Sequence, residues 1–98
     1  MDIPSLLIAD DSAEWRVIIA RILEQICSVV GFATRGDDVV RQATELQPHV
    51  ITLDVSMPGI SGLQLLPELR SAMPKAVIII VTITSDQLYM DEARKRGA

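Results

Sequence analysis

The apolar positions of this chain change rhythm repeatedly, passing from short unbroken runs to runs spaced three and four residues apart. Unbroken runs read as strands buried on both faces, and the wider spacing reads as one stripe of an amphipathic helix. Ser5 to Ala9 (SLLIA) predicts a first strand, ending at Asp10 and Asp11. Trp15, Ile18, Ile19, Ile22, Leu23 and Ile26 then follow helical spacing and predict a first helix with a broad core-facing stripe, N-capped by Ser12. Val29 to Thr34 predicts a second strand, and Gly31 within it suits a sheet edge better than a central place. Asp37 predicts the cap of a second helix running through Gln47, with Val39, Val40, Ala43 and Leu46 as its stripe and Pro48 as its stop.

Val50 to Leu53 (VITL) predicts a third strand, which also ends on an aspartate, Asp54. The turn-rich MPGISG segment, Met57 to Gly62, follows, and Ser61 with Gln64 has the spacing of a capping box for a third helix. Pro67 falls inside that helix, where the lost backbone donor predicts a kink near the second turn. Val77 to Val81 (VIIIV) predicts the fourth and most apolar strand, ending at Thr82. Thr84 with Gln87 makes another capping box, opening a last helix through Arg94, Lys95 and Arg96 to Gly97. Continuous apolar strands alternating with helices predict an α/β fold with a parallel, doubly wound sheet covered on both faces. In such a sheet the binding crevice lies at the carboxyl ends of the strands, and here those ends carry Asp10, Asp11, Asp54 and Thr82.

Composition narrows the function classes. With 98 residues, 49% apolar and 22% charged, the chain reads as one globular domain, residues 1–98. Thirteen acidic against nine basic side chains leave a net charge of -4, which opposes direct binding to nucleic acid or to an anionic membrane. Arg94, Lys95 and Arg96 form the one basic cluster, in a last helical turn where the helix dipole favours cations. A single cysteine, Cys27, excludes an internal disulfide and a multi-cysteine metal site, and its apolar neighbours make it a small core side chain. The longest strictly apolar run, Ala76 to Val81, is six residues, against about 20 for a helix that crosses a bilayer. The segment Met1 to Asp11 lacks the basic start of a secretory signal, so the expected location is the cytoplasm.

If the first and third strands are neighbours, Asp10, Asp11 and Asp54 converge. Like charges that close raise one another's pKa values unless a cation neutralises them, and a hard divalent ion such as magnesium is the natural partner. A carboxylate beside such an ion can attack phosphorus in line and form an acyl phosphate, with Thr82 placed to donate a hydrogen bond to the phosphoryl oxygens.

These residues resemble the receiver domain of bacterial two-component response regulators. The resemblance runs from Leu6 to Ala98 and rests on LLIADDS at Leu6 to Ser12, ITLDVSMPGISG at Ile51 to Gly62, and VIIIVT at Val77 to Thr82 followed by a helix ending in Gly97-Ala98. It implies a three-layer, flavodoxin-like fold with strand order 2-1-3-4, incomplete at the C-terminus because the family's fifth strand and fifth helix are missing. It implies Asp54 as phosphoacceptor, Asp11 as a direct Mg2+ ligand, Asp10 acting mostly through bound water, the Ser56 backbone carbonyl as a further ligand, and Thr82 as the switch hydroxyl. The implied partner is a histidine kinase or phosphotransfer protein; His49, the one histidine, does not resemble a phosphodonor.

Two departures from the family at the site carry weight, beside a third outside it, where His49 stands at a position commonly held by an acidic residue. The lysine that pairs with the phosphoryl group on the family's fifth strand has no counterpart, and Ile83 stands where a small residue usually follows the switch threonine. They motivate an alternative reading as a pseudo-receiver, a phosphorylation-independent interaction module. Without a fifth strand the VIIIV segment would form a sheet edge with unpaired backbone groups, which leaves three expectations: a fragment of a longer protein, a natural remnant with altered packing, or, favoured among them, a homodimer through that edge. A phosphatase of the aspartate-nucleophile type ranks last, because it wants an acid two residues after the nucleophile and Ser56 stands there.

Overall fold

In the computed structural model, which describes residues 3–57, 59, 61–81 and 94–97, each apolar run forms a strand and each spaced run a helix. The order is β1 (Ser5–Ala9), α1 (Ala13–Leu23), β2 (Ser28–Ala33), α2 (Gly36–Leu46), β3 (Val50–Asp54), α3 (Gly62–Ala72) and β4 (Val77–Val81). The four strands form one parallel sheet in the order β2-β1-β3-β4. Each crossover therefore carries one helix, and the helices divide between the two faces.

Alternation along the strands separates two cores. Leu7 and Ala9 of β1, Ile51 and Leu53 of β3 and Ile78 of β4 face α2 and α3, where they pack with Val39, Ala43, Leu65, Leu66 and Leu69. Leu6 and Ile8 face the opposite side and pack with Ile19 of α1 and Cys27. Each fully buried Leu or Ile contributes about 1.5–3 kcal/mol relative to leaving it in water, so β1, buried along nearly its whole length, anchors both layers. The edge position expected for β2 is realised. Its register against β1 slips by one residue, from Leu6 opposite Val29 to Leu7 opposite Gly31, leaving Val30 as a bulge.

Local expectations are met unevenly. The Ser12 hydroxyl does cap α1, accepting the Trp15 backbone N–H at 3.3 Å. The broad stripe predicted for α1 is a correction: Ile19 alone is buried, whereas Ile18, Ile22 and Ile26 are exposed, Ile22 to 66%. A helix lying on the β1–β2 half of the sheet presents one line of side chains to it, and the other apolar positions face away. Asp37 is not the cap of α2 either. Arg35 holds that position, and the Asp37 carboxylate sits in the first turn accepting from Arg35 Nε at 3.1 Å. At the other end Gln47 closes α2 in the left-handed conformation, φ 46°, and Pro48 follows. The Ser61–Gln64 capping box does not form; Ser61 caps α3 through its carbonyl, which accepts from the backbone N–H groups of Gln64 and Leu65. Helix α3 runs through Pro67 without a break.

Arg94 and Lys95 are helical, with Gly97 in the left-handed region just beyond. This segment is tied to α3 by Arg70, whose guanidinium donates to the carbonyls of Ala76 at 2.6 Å, Gly97 at 2.7 Å and Pro74 at 3.2 Å. The Thr84–Gln87 capping box and Ile83 lie outside the described residues.

Candidate functional site

Strand β1 ends at Ala9, and the next residue, Asp10, remains bound to the sheet because its N–H donates to the Ala33 carbonyl at the end of β2, at 2.9 Å. Asp10 is only 3% exposed. Asp54 is the last residue of β3 and lies opposite Val81 of β4. Since β1 and β3 are adjacent and parallel, Asp10, Asp11 and Asp54 meet at the carboxyl ends of the two strands, with carboxylate oxygens within 4.8 Å of one another. Asp11 is exposed and Asp54 half-buried, so the cluster opens to solvent on one side. The crevice, of ≈ 250 Å³, is lined by Asp10, Asp11, Ser12, Trp15, Asp54, Ser56 and Val81.

Two short loops hold these side chains. In the β1–α1 loop Asp10 Oδ1 accepts the Ser12 N–H at 2.9 Å, while Arg16 Nη1, one turn into α1, donates to the Asp10 carbonyl at 3.0 Å. In the loop after β3, Asp54 Oδ1 accepts two bonds from Ser56, its N–H at 2.9 Å and its hydroxyl at 2.8 Å. The chain then turns back over Val55. Gly62, the first residue of α3, lies so close that a Cβ there would come within 2.6 Å of Val55 Cα, so α3 can start here only without a side chain. Gly59, at φ +93°, makes the turn between them.

Burial pushes the Asp10 carboxyl above the usual carboxylate range, the Ser12 N–H works against that, and the charges of Asp54 and Asp11 reinforce it. A buried acid beside two further carboxylates is an electrostatic arrangement that a divalent cation relieves. The donor set is all oxygen and open to water on one side, which fits a hard ion that keeps part of its hydration shell. The residues present therefore fit magnesium.

Of the residues singled out from sequence, Asp10, Asp11, Asp54 and Ser56 come together in this crevice, while Thr82 lies outside the described residues. Three contributors were not read from sequence. Trp15, 46% exposed, walls the crevice although its helical spacing suggested a core or half-buried place on the stripe. Arg16 clamps the Asp10 carbonyl, and nothing in its spacing marks it. The Ser56 hydroxyl was legible in principle, because a serine two residues after an aspartate is within reach of that carboxylate in a tight turn. His49 lies at the opposite, N-terminal end of β3, where its Nδ1 accepts the Ser5 N–H at 3.0 Å. Among the described residues no helix is long and apolar enough to cross a membrane.

Comparison with known proteins agrees with this geometry. The chain is 34% identical over 94 residues to the chemotaxis protein CheY of Thermotoga maritima, covering 95% of this chain and 78% of that protein. It is 35% identical over 96 residues to a protein-glutamate methylesterase/protein-glutamine glutaminase of the same organism, covering 95% of this chain but only 28% of that longer protein. Among solved structures, the response regulator domain of Thermotoga maritima CheB superposes with a TM-score of 0.90 at 33% identity, over 99% of this chain and 75% of that one. A response regulator from Burkholderia pseudomallei, solved with a phosphorylated aspartic acid, a calcium ion and citrate, superposes with a TM-score of 0.87 at 28% identity, over 97% of this chain and 56% of that one. The response regulator receiver domain model matches residues 6–98, and with the 2-1-3-4 sheet and the acidic crevice at its carboxyl edge, the chain belongs to the receiver domain family of response regulators.

Proposed function

We propose that Asp54 accepts a phosphoryl group from the phosphohistidine of a histidine kinase or phosphotransfer protein, in a Mg2+-dependent step of cytoplasmic two-component signalling. The observation that carries this reading is the meeting of three carboxylates at the ends of β1 and β3, with Asp54 half-buried in a crevice open to a donor. The phosphorylated aspartate and calcium ion of the Burkholderia relative support it by likeness of fold. The side chains of Asp10, Asp11 and Asp54 and the Ser56 carbonyl would hold the metal. Bound there, magnesium supplies positive charge that neutralises the phosphoryl oxygens.

The chain's own residues do the rest. The Asp54 oxygen left free by Ser56 attacks phosphorus, the phosphorus–nitrogen bond to the donor histidine breaks, and its electron pair returns to the imidazole. Trp15 and Val81 wall the crevice and limit the directions from which a donor or water approaches. The switch role of Thr82 is part of the same proposal. So is the pairing of β4 with a second copy, which its place at the end of the sheet among the described residues and the 56% exposure of Val77 support.

Intact mass after incubation with acetyl phosphate tests the phosphoacceptor reading. The expected result is a gain of one phosphoryl group with Mg2+, absent without Mg2+ and absent in Asp54→Asn. No gain in folded wild-type protein would favour the pseudo-receiver.

A further inference from the structure

Asp11 is the exposed member of the acidic cluster, and no hydrogen bond from the described residues holds its carboxylate. Where that carboxylate points therefore depends on the backbone on either side of its Cα, where two planar peptide units meet. The unit after Asp11 ends in the Ser12 N–H, which donates to Asp10 Oδ1 at 2.9 Å. The unit before it carries the Asp10 carbonyl, which accepts from Arg16 Nη1 at 3.0 Å. The sheet fixes the far side of Asp10, through the bond from its N–H to the Ala33 carbonyl at 2.9 Å. Among the described residues, Arg16 is the side chain of α1 that closes this loop around Asp11.

On electrostatic grounds Arg16 is badly placed. It stands one turn into α1, near the helix end that disfavours a cation, and its charge opposes a divalent ion at the neighbouring carboxylates. What offsets this is its bond to the Asp10 carbonyl, made by a half-buried guanidinium. We infer that Arg16 is a positioning residue for the metal, acting through the backbone: by pinning the peptide unit that precedes Asp11 it aims the Asp11 carboxylate at the ion. The inference rests on the Mg2+ reading proposed above. Positioning and charge predict opposite signs. An arginine that acted only by its charge would weaken Mg2+ binding, so removing it would tighten the site; an arginine that aims a ligand does the reverse.

The experiment compares wild type, Arg16→Met and Arg16→Lys in thermal melts over a Mg2+ series, since an ion that binds only the folded state raises the melting temperature with concentration. Methionine keeps an apolar stem without a donor, and lysine keeps a cationic donor. The expected result is that Arg16→Met needs about three- to tenfold more Mg2+ than wild type for the same rise, with Arg16→Lys within about twofold of wild type. Without metal, Arg16→Met should melt cooperatively, lowered by no more than about 8 °C. The Mg2+ concentration for half-maximal loading from acetyl phosphate should move by the same factor, with the rate at saturating Mg2+ near wild type. An Arg16→Met that binds Mg2+ as tightly as wild type, or tighter, overturns the inference. So does Arg16→Lys binding as weakly as Arg16→Met, or an Arg16→Met that no longer melts cooperatively, because the arginine would then support the fold as a whole. A wild type that gains no stability from Mg2+ takes down the metal reading itself.

Discussion

Asp10 is a buried acid whose carboxylate is stabilised by one N–H and opposed by two neighbouring charges. With its folded pKa raised above the unfolded value, the native state binds more protons than the unfolded chain between those two values. Stability therefore falls as pH rises through that window, and above it the Asp10 charge is a constant cost. Asp10→Asn keeps an oxygen for the Ser12 N–H and removes the charge. At neutral pH without metal it should raise the melting temperature by about 4–8 °C, the shift corresponding to about 1 kcal/mol in a domain of this size. Added Mg2+ should stabilise wild type and have little effect on the variant. A melting temperature unchanged or lowered in metal-free Asp10→Asn would show that the carboxylate is not strained. Asp38 makes the contrast: hydrogen bonds from Gln42 and Arg41 draw its carboxyl below the usual range on an outer face of α2, away from the crevice. Among the described residues these two aspartates are perturbed in opposite directions, and burial among like charges sets Asp10 apart.

At the scale of elements, boundaries set by apolar runs were legible in the sequence and boundaries set by caps were less so. β1 and β4 form as read because Pro4 and Asp10 bracket one run and the continuous VIIIV run makes the other. β3 extends one residue past its apolar run onto Asp54, pairing with Val81, which brings the aspartate onto the sheet itself. Asp37 and Ser61 have cap chemistry in the right places, but an ion pair with Arg35 takes the first and backbone bonding makes the second unnecessary. The stripe of α1 was over-read because periodicity counts apolar positions and cannot say how many of them a sheet will cover. The crevice aspartates were legible because strand ends are fixed by the runs before them; the Arg16 clamp was not, since it depends on where a long side chain folds back. β4 carries a further prediction. Among the described residues its outer edge has no strand partner, and Val77 and Ile79 stand exposed on the face shared with α1. Two copies related by a two-fold axis satisfy both edges at once. Sedimentation velocity should show a concentration-dependent dimer that Ile79→Lys converts to monomer; a wild type that stays monomeric at high concentration would rule this pairing out.

For the whole molecule, the sheet order is what makes the site. Placing β1 between β2 and β3 buries Leu6 to Ala9 in two cores and brings Asp10 and Asp11 to the end of the strand beside Asp54. The sheet is thus buried where Asp10 attaches, while the crevice stays open on the side of Asp11. The chain spans 78% of the CheY relative's length yet 28% of the methylesterase relative's, so one fold serves both a short protein and one part of a longer one. The most direct test of Asp54 as acceptor is chemical trapping of the acyl phosphate. Protein loaded with acetyl phosphate and Mg2+ is reduced with borohydride, which converts an aspartyl phosphate to homoserine, and is then mapped by peptide mass spectrometry. The result expected is homoserine at position 54 and at no other aspartate. Homoserine at Asp10 or Asp11, or none in protein that has gained a phosphoryl group, would contradict the assignment.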